Sequence, residues 1–220
     1  MSDEYGVIFD MDGVIVDSYR PHFRSWRLLA RENGLELTEA DFARLFGRTS
    51  REILRELWPG GLDEVRVRQL DDRKEHLYRQ IIRDEIPACE GLFDLLDDLA
   101  GGGVCMAVGS SGPPENVDLV LDGLNIRRFF SGVVTGRDVE RGKPDPQVFL
   151  TAAAKINVHP GRCVVVEDAP AGLLAAHRAG MKAVAVTGSH PAERLVEADI
   201  IVDSLGQLDV GVLGHLIESE

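Results

Sequence analysis

Val7-Ile-Phe-Asp10-Met-Asp12-Gly13-Val-Ile-Val-Asp17-Ser18 begins as an apolar run, delivers two carboxylates one residue apart and breaks at glycine. Side chains alternate along a strand, but where a strand gives way to a loop both carboxylates can turn toward one pocket at its carboxyl end. That edge is where open α/β sheets bind ligands. Two anions held together repel unless a cation or a shared proton compensates, so the pair implies a metal or a raised pKa. Asp and Gly are also ordinary loop residues, and the pair alone does not separate chemistry from a turn.

Three further segments put polar groups at the ends of apolar runs or in loops. Val104-Cys-Met-Ala-Val-Gly109 runs into Ser110-Ser111-Gly112, Arg141-Gly142-Lys143-Pro144-Asp145-Pro146 precedes a helical pattern, and Arg162-Cys-Val-Val-Val-Glu167-Asp168 ends in a second acidic pair. In this order the four segments resemble the haloacid dehalogenase (HAD) superfamily: Asp10 and Asp12 stand as its first motif, Ser110 as the second, Lys143 as the third and Glu167-Asp168 as the fourth. The resemblance spans nearly the whole chain. Each motif is weak by itself, but four in order, at spacings that suit alternating strands and helices, leave little room for coincidence.

Composition is compatible with that reading and narrows the partners. With 220 residues, 44% of them hydrophobic, the chain can bury a substantial core and accommodate one domain plus an insertion. The 37 acidic residues against 24 Lys plus Arg, a formal charge of −13, would repel a nucleic-acid backbone. Cys89, Cys105 and Cys163 are odd in number, lack a metal-ligand spacing and lie partly in apolar strand patterns, which favours free thiols in a reducing compartment. No basic stretch followed by an apolar run opens the chain, and no apolar segment approaches membrane-spanning length. The expectation is a cytoplasmic protein, a monomer, with a small phosphorylated metabolite as partner and neither nucleic acid nor membrane.

From Tyr19 to about Ile86 strand-like runs give way to amphipathic helices. Phe23, Trp26, Leu29 and Ala30 share one helical face that ends near Gly34; Thr38 followed by Asp41 is a capping start; Ile53, Leu54, Leu57 and Trp58 form the stripe of a helix starting at Ser50; a longer helix is predicted from about Leu62 to Arg83. A stop at Pro59-Gly60-Gly61 separates the last two. Beyond the linker Ile86-Pro87-Ala88 the pattern becomes helix, strand, helix, strand, with strands near 104–109, 132–135, 162–167, 183–187 and 200–202. The predicted fold is α/β: a Rossmann-like, doubly wound parallel sheet core of residues 1–16 and 88–220, with an all-helical insertion over 17–87 and the Asp10 strand near its centre. In the resembled family such an insertion is a cap over the active site.

The resemblance implies phosphoryl transfer. Asp10 is then the nucleophile, because a carboxylate attacking phosphorus in line splits one hard displacement into two easier ones. Asp12 is the acid and base that protonates the leaving oxygen and then deprotonates the incoming water or alcohol. Mg²⁺ prefers oxygen ligands, and the family implies a shell of Asp10, the backbone carbonyl of Asp12, Asp168, Glu167 and waters. Ser110, Ser111 and nearby amides are the phosphate binders, and Lys143 supplies a positive charge that matters more as charge builds in transfer. Duller roles exist for each: a serine turn, a solvated lysine, an acidic pair capping the helix near Pro170. Asp17 and Asp145 are read as structural or solvated.

Substrate choice falls to the insertion, since the core motifs see only phosphate and metal. His22, Arg51 and Lys74 resemble cap positions of the β-phosphoglucomutase-like branch, which also holds sugar-phosphate phosphatases. Three functions compete. The first is a Mg²⁺-dependent phosphatase acting on a small phosphate monoester, a sugar phosphate in the first instance. The second is a phosphohexomutase, which His22 with Lys74 favours, whereas the Gly47–Arg51 segment, one residue longer than expected of a mutase, favours the first. The third is a noncatalytic phosphate-sensing module, disfavoured because the acceptor sits on the first strand and a helical insertion follows. Dehalogenation and phosphonate cleavage are disfavoured by the second aspartate, Asp12.

Overall fold

The computed structural model describes residues 5–58 and 60–219. Strands β1 (Gly6–Phe9), β2 (Cys105–Gly109), β3 (Gly132–Val134), β4 (Cys163–Glu167), β5 (Lys182–Val186) and β6 (Ile200–Val202) form one sheet in the order β3-β2-β1-β4-β5-β6. All five pairings are parallel. Gly-Val-Ile-Phe of β1 and Cys-Val-Val-Val-Glu of β4 are buried throughout, the near-continuous apolar pattern of strands covered on both faces. Strand order reverses between β1 and β4, and the crevice beyond the carboxyl ends of two such strands is the binding position of doubly wound sheets.

By contacts the chain divides into two compact units, one of the described residues up to Asp17 with those from Pro87 onward, the other of Ser18–Ile86. The second unit consists of α1 (Tyr19–Glu32), α2 (Glu39–Leu45), α3 (Ser50–Leu57) and α4 (Glu64–Ile82) around its own core of Trp26, Leu29, Phe42, Leu54, Val67, Leu70 and Leu77. Thr38 and Asp41 close a reciprocal capping box at α2. At α3 the box is made by Thr49 and Glu52, so Ser50 is the first helical residue and Thr49 the cap. A side-chain cap of this kind contributes about 1 kcal/mol. The stop at Pro59-Gly60-Gly61 falls partly outside the described residues, since Pro59 is not among them.

In the first unit α5 (Leu92–Gly101), α6 (Pro114–Gly123), α7 (Gln147–Lys155), α8 (Pro170–Arg178) and α9 (Val210–Glu218) accompany the sheet. Ile8, Ala107, Phe149, Ala152, Val165, Leu173 and Ala176 belong to one buried cluster that joins the strands to α7 and α8. The points where the chain leaves and re-enters this unit are tied together: Val16 bridges Ala88, Asp17 N–H donates to the Pro87 carbonyl at 2.7 Å, and Cys89 N–H to Ile15 at 3.1 Å. Among the described residues no helix is long and apolar enough to cross a membrane.

Candidate active site

Asp10 follows the last residue of β1, and its N–H still donates across the sheet to the Val166 carbonyl at 2.9 Å. The chain then turns tightly, with the Met11 carbonyl accepting from Ile15 at 2.9 Å and Val16 at 3.1 Å. Gly13, at φ 77, is required twice over: the backbone is left-handed there, and an added Cβ would lie 1.8 Å from Asp168 Oδ2. The glycine in the turn after β1 thus makes room for the carboxylate that follows β4.

Lys143 joins the two strand ends. Its Nζ donates to Asp10 Oδ1 at 2.8 Å and to Glu167 Oε1 at 2.6 Å and sits 4.8 Å from the Phe149 ring centroid. The loop that carries it is fixed from several sides: Arg178 donates to the Pro144 carbonyl at 3.0 Å, Gln147 Oε1 accepts from the N–H groups of Glu140 and Arg141, and Asp145 Oδ1 accepts from Gln147 N–H. Glu167 Oε2 accepts from the N–H groups of Asp168 and Ala169, both at 2.8 Å. Glu167 therefore shapes the turn before α8 without giving up the contact to Lys143, while the helix itself, with Ala169 as N-cap, has no side-chain cap. A Cβ on Gly172 would fall 1.8 Å from Glu167 Oε1, so α8 can pass the carboxylate only with glycine at that position.

Burial and like charge set the electrostatics of the cluster. Asp10 is 8% exposed, Glu167 1% and Asp168 5%. Burial, with Glu167 and Asp12 adding to it, raises Asp10 to about 7 against the opposing pull of Lys143. Asp168 is pushed well above the ordinary carboxylate range, by burial first and then by Glu167 and Asp10. For Lys143 burial works against the charge, but Asp10 and Glu167 outweigh it and hold the ammonium above its ordinary pKa. Three carboxylates against one ammonium leave two negative charges uncompensated when all are ionised, the charge of one divalent cation. Oxygens of Asp10, Glu167 and Asp168 lie within 4.8 Å of one another, and an all-oxygen donor set suits a hard cation such as Mg²⁺. The residues present fit the ion that the resemblance implies.

The remaining motif residues stand around this cluster. Ser110 is buried at the end of β2, and its Oγ accepts from Gly112 N–H at 3.0 Å, which leaves the hydroxyl proton available to a phosphoryl oxygen. The turn role is thus seen, and it does not conflict with the expected phosphate role. Ser111 is exposed. The Asp12 carboxylate is not part of the Asp10, Glu167, Asp168 group; one of its oxygens lies beside the Ser110–Gly112 turn, 4.0 Å from where a Gly112 Cβ would be. In the helical unit His22 and Lys74 come together, Nζ to Nδ1 at 3.0 Å, with the His22 ring stacked on Tyr78 at 4.1 Å. Lys74 is 3% exposed and also donates to Glu75 at 2.8 Å. Arg51 is not in that cluster; it is exposed, 3.7 Å from Glu64.

Sequence reasoning passed over Ser189 and His190, on the loop after β5. The Ser189 hydroxyl and the Asp168 carboxylate meet against Gly13, and the His190 ring faces the Asp168 backbone. His190 is buried, which lowers its pKa, and Arg194 adds to the effect. The available signal was the apolar run 183–186 giving way to Thr187-Gly188-Ser189-His190-Pro191, the same strand-to-polar change as at Asp10, Ser110 and Glu167.

The ends of the central strands thus gather buried carboxylates, a bridging lysine and the Ser110 hydroxyl at one edge of a parallel sheet. The model of the haloacid dehalogenase-like hydrolase family matches residues 7–186, and the chain belongs to that family, in its β-phosphoglucomutase-like branch. Validoxylamine A 7'-phosphate phosphatase of Streptomyces hygroscopicus subsp. limoneus is 31% identical over 204 residues, 91% of this chain and 94% of that protein. Hexitol phosphatase A of Escherichia coli is 35% identical over 207 residues, 93% of each chain. The crystal structure of β-phosphoglucomutase from Clostridium difficile matches with a TM-score of 0.86 and 29% identity, covering 98% of this chain and 97% of that one.

Proposed function

We propose that the chain is a Mg²⁺-dependent phosphatase that releases phosphate from a small phosphate monoester, a sugar phosphate by class, through an aspartyl-phosphate on Asp10. The observation that carries the reading is the buried group of Asp10, Lys143, Glu167 and Asp168 at the carboxyl end of the central strand. Asp10, Glu167 and Asp168, with the Asp12 carbonyl, would hold Mg²⁺, which supplies the charge that lets anionic Asp10 meet an anionic phosphate. Ser110 and Lys143 orient the phosphoryl group, and the ammonium offsets charge on its oxygens as transfer proceeds. An Asp10 carboxylate oxygen forms the bond to phosphorus as the ester P–O bond breaks, and Asp12 gives its proton to the departing alkoxide. Asp12 then takes a proton from water, the water oxygen bonds to phosphorus, and the P–O bond to Asp10 breaks, freeing phosphate and restoring the carboxylate.

The helical unit Ser18–Ile86 selects the organic part of the substrate, the role of a cap. Its His22–Lys74 pair, a half-buried histidine on a buried lysine, also supports a second reading, a phosphohexomutase of the β-phosphoglucomutase type, in which a sugar hydroxyl rather than water takes the phosphoryl group. One assay separates the two. Purified protein with Mg²⁺ and a panel of sugar monophosphates, with and without a trace of glucose 1,6-bisphosphate, is followed for free phosphate and for isomerised sugar phosphate. Phosphate release independent of the bisphosphate is expected; bisphosphate-dependent isomerisation with little release would replace the phosphatase by the mutase.

A further inference from the structure

We propose that Ser189 and His190, on the loop that follows β5, are positioning residues that hold Asp168 in the orientation a divalent cation requires. The inference rests on the reading of Asp168 as a cation ligand.

Asp168 lies between β4 and α8, outside both hydrogen-bond ladders. The carbonyl that starts α8 is that of Ala169, which accepts from Gly172 at 3.0 Å and Leu173 at 3.1 Å. At 5% exposure Asp168 must find partners for its polar groups inside the protein, since a buried group left unsatisfied costs about 1–3 kcal/mol. Its N–H goes to Glu167 Oε2 at 2.8 Å. Its carboxylate meets the Ser189 hydroxyl against Gly13, and its backbone faces the His190 ring, both from the β5 loop. Two neighbouring residues of one loop thus confine one aspartate.

The sheet puts the loop there. β5 pairs with β4 in register Glu167 with Ala185, so the chain leaving Val186 emerges beside Asp168. It is anchored on both sides, by Thr187 N–H donating to the Val202 carbonyl at 2.9 Å and by the fully buried Leu195. The carboxylate is confined from a second direction by Gly13, where an added Cβ would lie 1.8 Å from Asp168 Oδ2 and 2.7 Å from Ser189 Oγ. A hydroxyl donating to a carboxylate takes up part of its lone-pair capacity, sets its rotation and leaves the rest to a cation. Losing such an outer partner weakens metal binding by about 10–100-fold where this has been a general pattern.

The test is a calorimetric titration of the purified full chain with Mg²⁺ alone, with thermal melts to verify folding and a parallel measurement of the Mg²⁺ activation constant in a phosphatase assay. Ser189→Ala is expected to bind Mg²⁺ about 10–100-fold more weakly, with kcat at saturating Mg²⁺ changed far less, and Ser189→Thr, which keeps the hydroxyl, to restore affinity. His190→Asn, which keeps an N–H donor, should bind more tightly than His190→Phe. Wild-type Mg²⁺ affinity in Ser189→Ala and His190→Phe, or a loss that Ser189→Thr leaves unrepaired, would overturn the positioning role. Asp168→Asn separates the two levels: loss of Mg²⁺ binding there with no effect at Ser189 or His190 would remove only this inference, whereas retained binding in Asp168→Asn would remove the reading of Asp168 as well.

Discussion

Asp10 is the residue on which the account turns, and its environment predicts a pH signature. Its folded pKa of about 7 stands above the ordinary 3.8, because burial and the neighbouring carboxylates disfavour the charge more than Lys143 favours it. In the metal-free protein the folded chain then holds a proton that the unfolded chain releases between those values. Stability from this group is complete below the unfolded pKa and is lost as pH rises through the folded one. Asp10→Asn does not titrate, so its stability relative to wild type, measured by urea unfolding in EDTA, should move in the variant's favour from about pH 4 to about pH 8. Parallel stability curves would contradict the raised pKa. Gly172 gives a second residue-scale outcome. Ala for Gly inside a helix normally stabilises by about 0.5–1 kcal/mol. At position 172 the new Cβ would meet Glu167 Oε1 at 1.8 Å, so Gly172→Ala should instead lower the melting temperature and the activity together.

Elements were legible where the cause is local. Thr38 and Asp41 sit three apart in the sequence and form the box their spacing implies, while Thr49 and Glu52 cap one residue ahead of the predicted start at Ser50. The strands 104–109 and 162–167 were readable from apolar runs and begin one residue later, at Cys105 and Cys163. The candidate site was legible as an ordered set of motifs, but the contacts that make it a site are not local. Lys143 reaches Asp10 across 133 residues, and Ser189 meets Asp168 only because β5 lies beside β4. No pattern within one element carries that register. α7 is where packing and site meet: Phe149 is fully buried, leaves no room for a Cβ on Gly109 at the end of β2 and lies under the Lys143 ammonium. Phe149→Ala should cost about 3–5 kcal/mol of stability by urea unfolding. A larger fall in kcat than Phe149→Leu causes is expected as well, because the lysine loses its floor; equal kcat in the two would detach that packing from catalysis.

At the scale of the molecule, a chain of net charge −13 gathers three buried carboxylates at one sheet edge and sets one lysine among them. Such an arrangement wastes stability unless a cation and an anionic substrate use it. The covalent step on Asp10 is the central claim, and the separation of Asp12 from the Asp10, Glu167, Asp168 group makes it testable. Acetyl phosphate has a leaving group acidic enough to depart without a proton from Asp12, whereas water attacking the phosphoenzyme still needs a base. Asp12→Ala should therefore accept phosphate from acetyl phosphate and release it slowly. The decisive measurement is acid quenching of Asp12→Ala with acetyl phosphate and Mg²⁺, reduction with borohydride and peptide mapping of residues 7–18. The account predicts that Asp10 is recovered as homoserine, the reduction product of an aspartyl-phosphate. Unmodified Asp10 in a preparation whose wild type hydrolyses acetyl phosphate, or the modification on another residue, would contradict it.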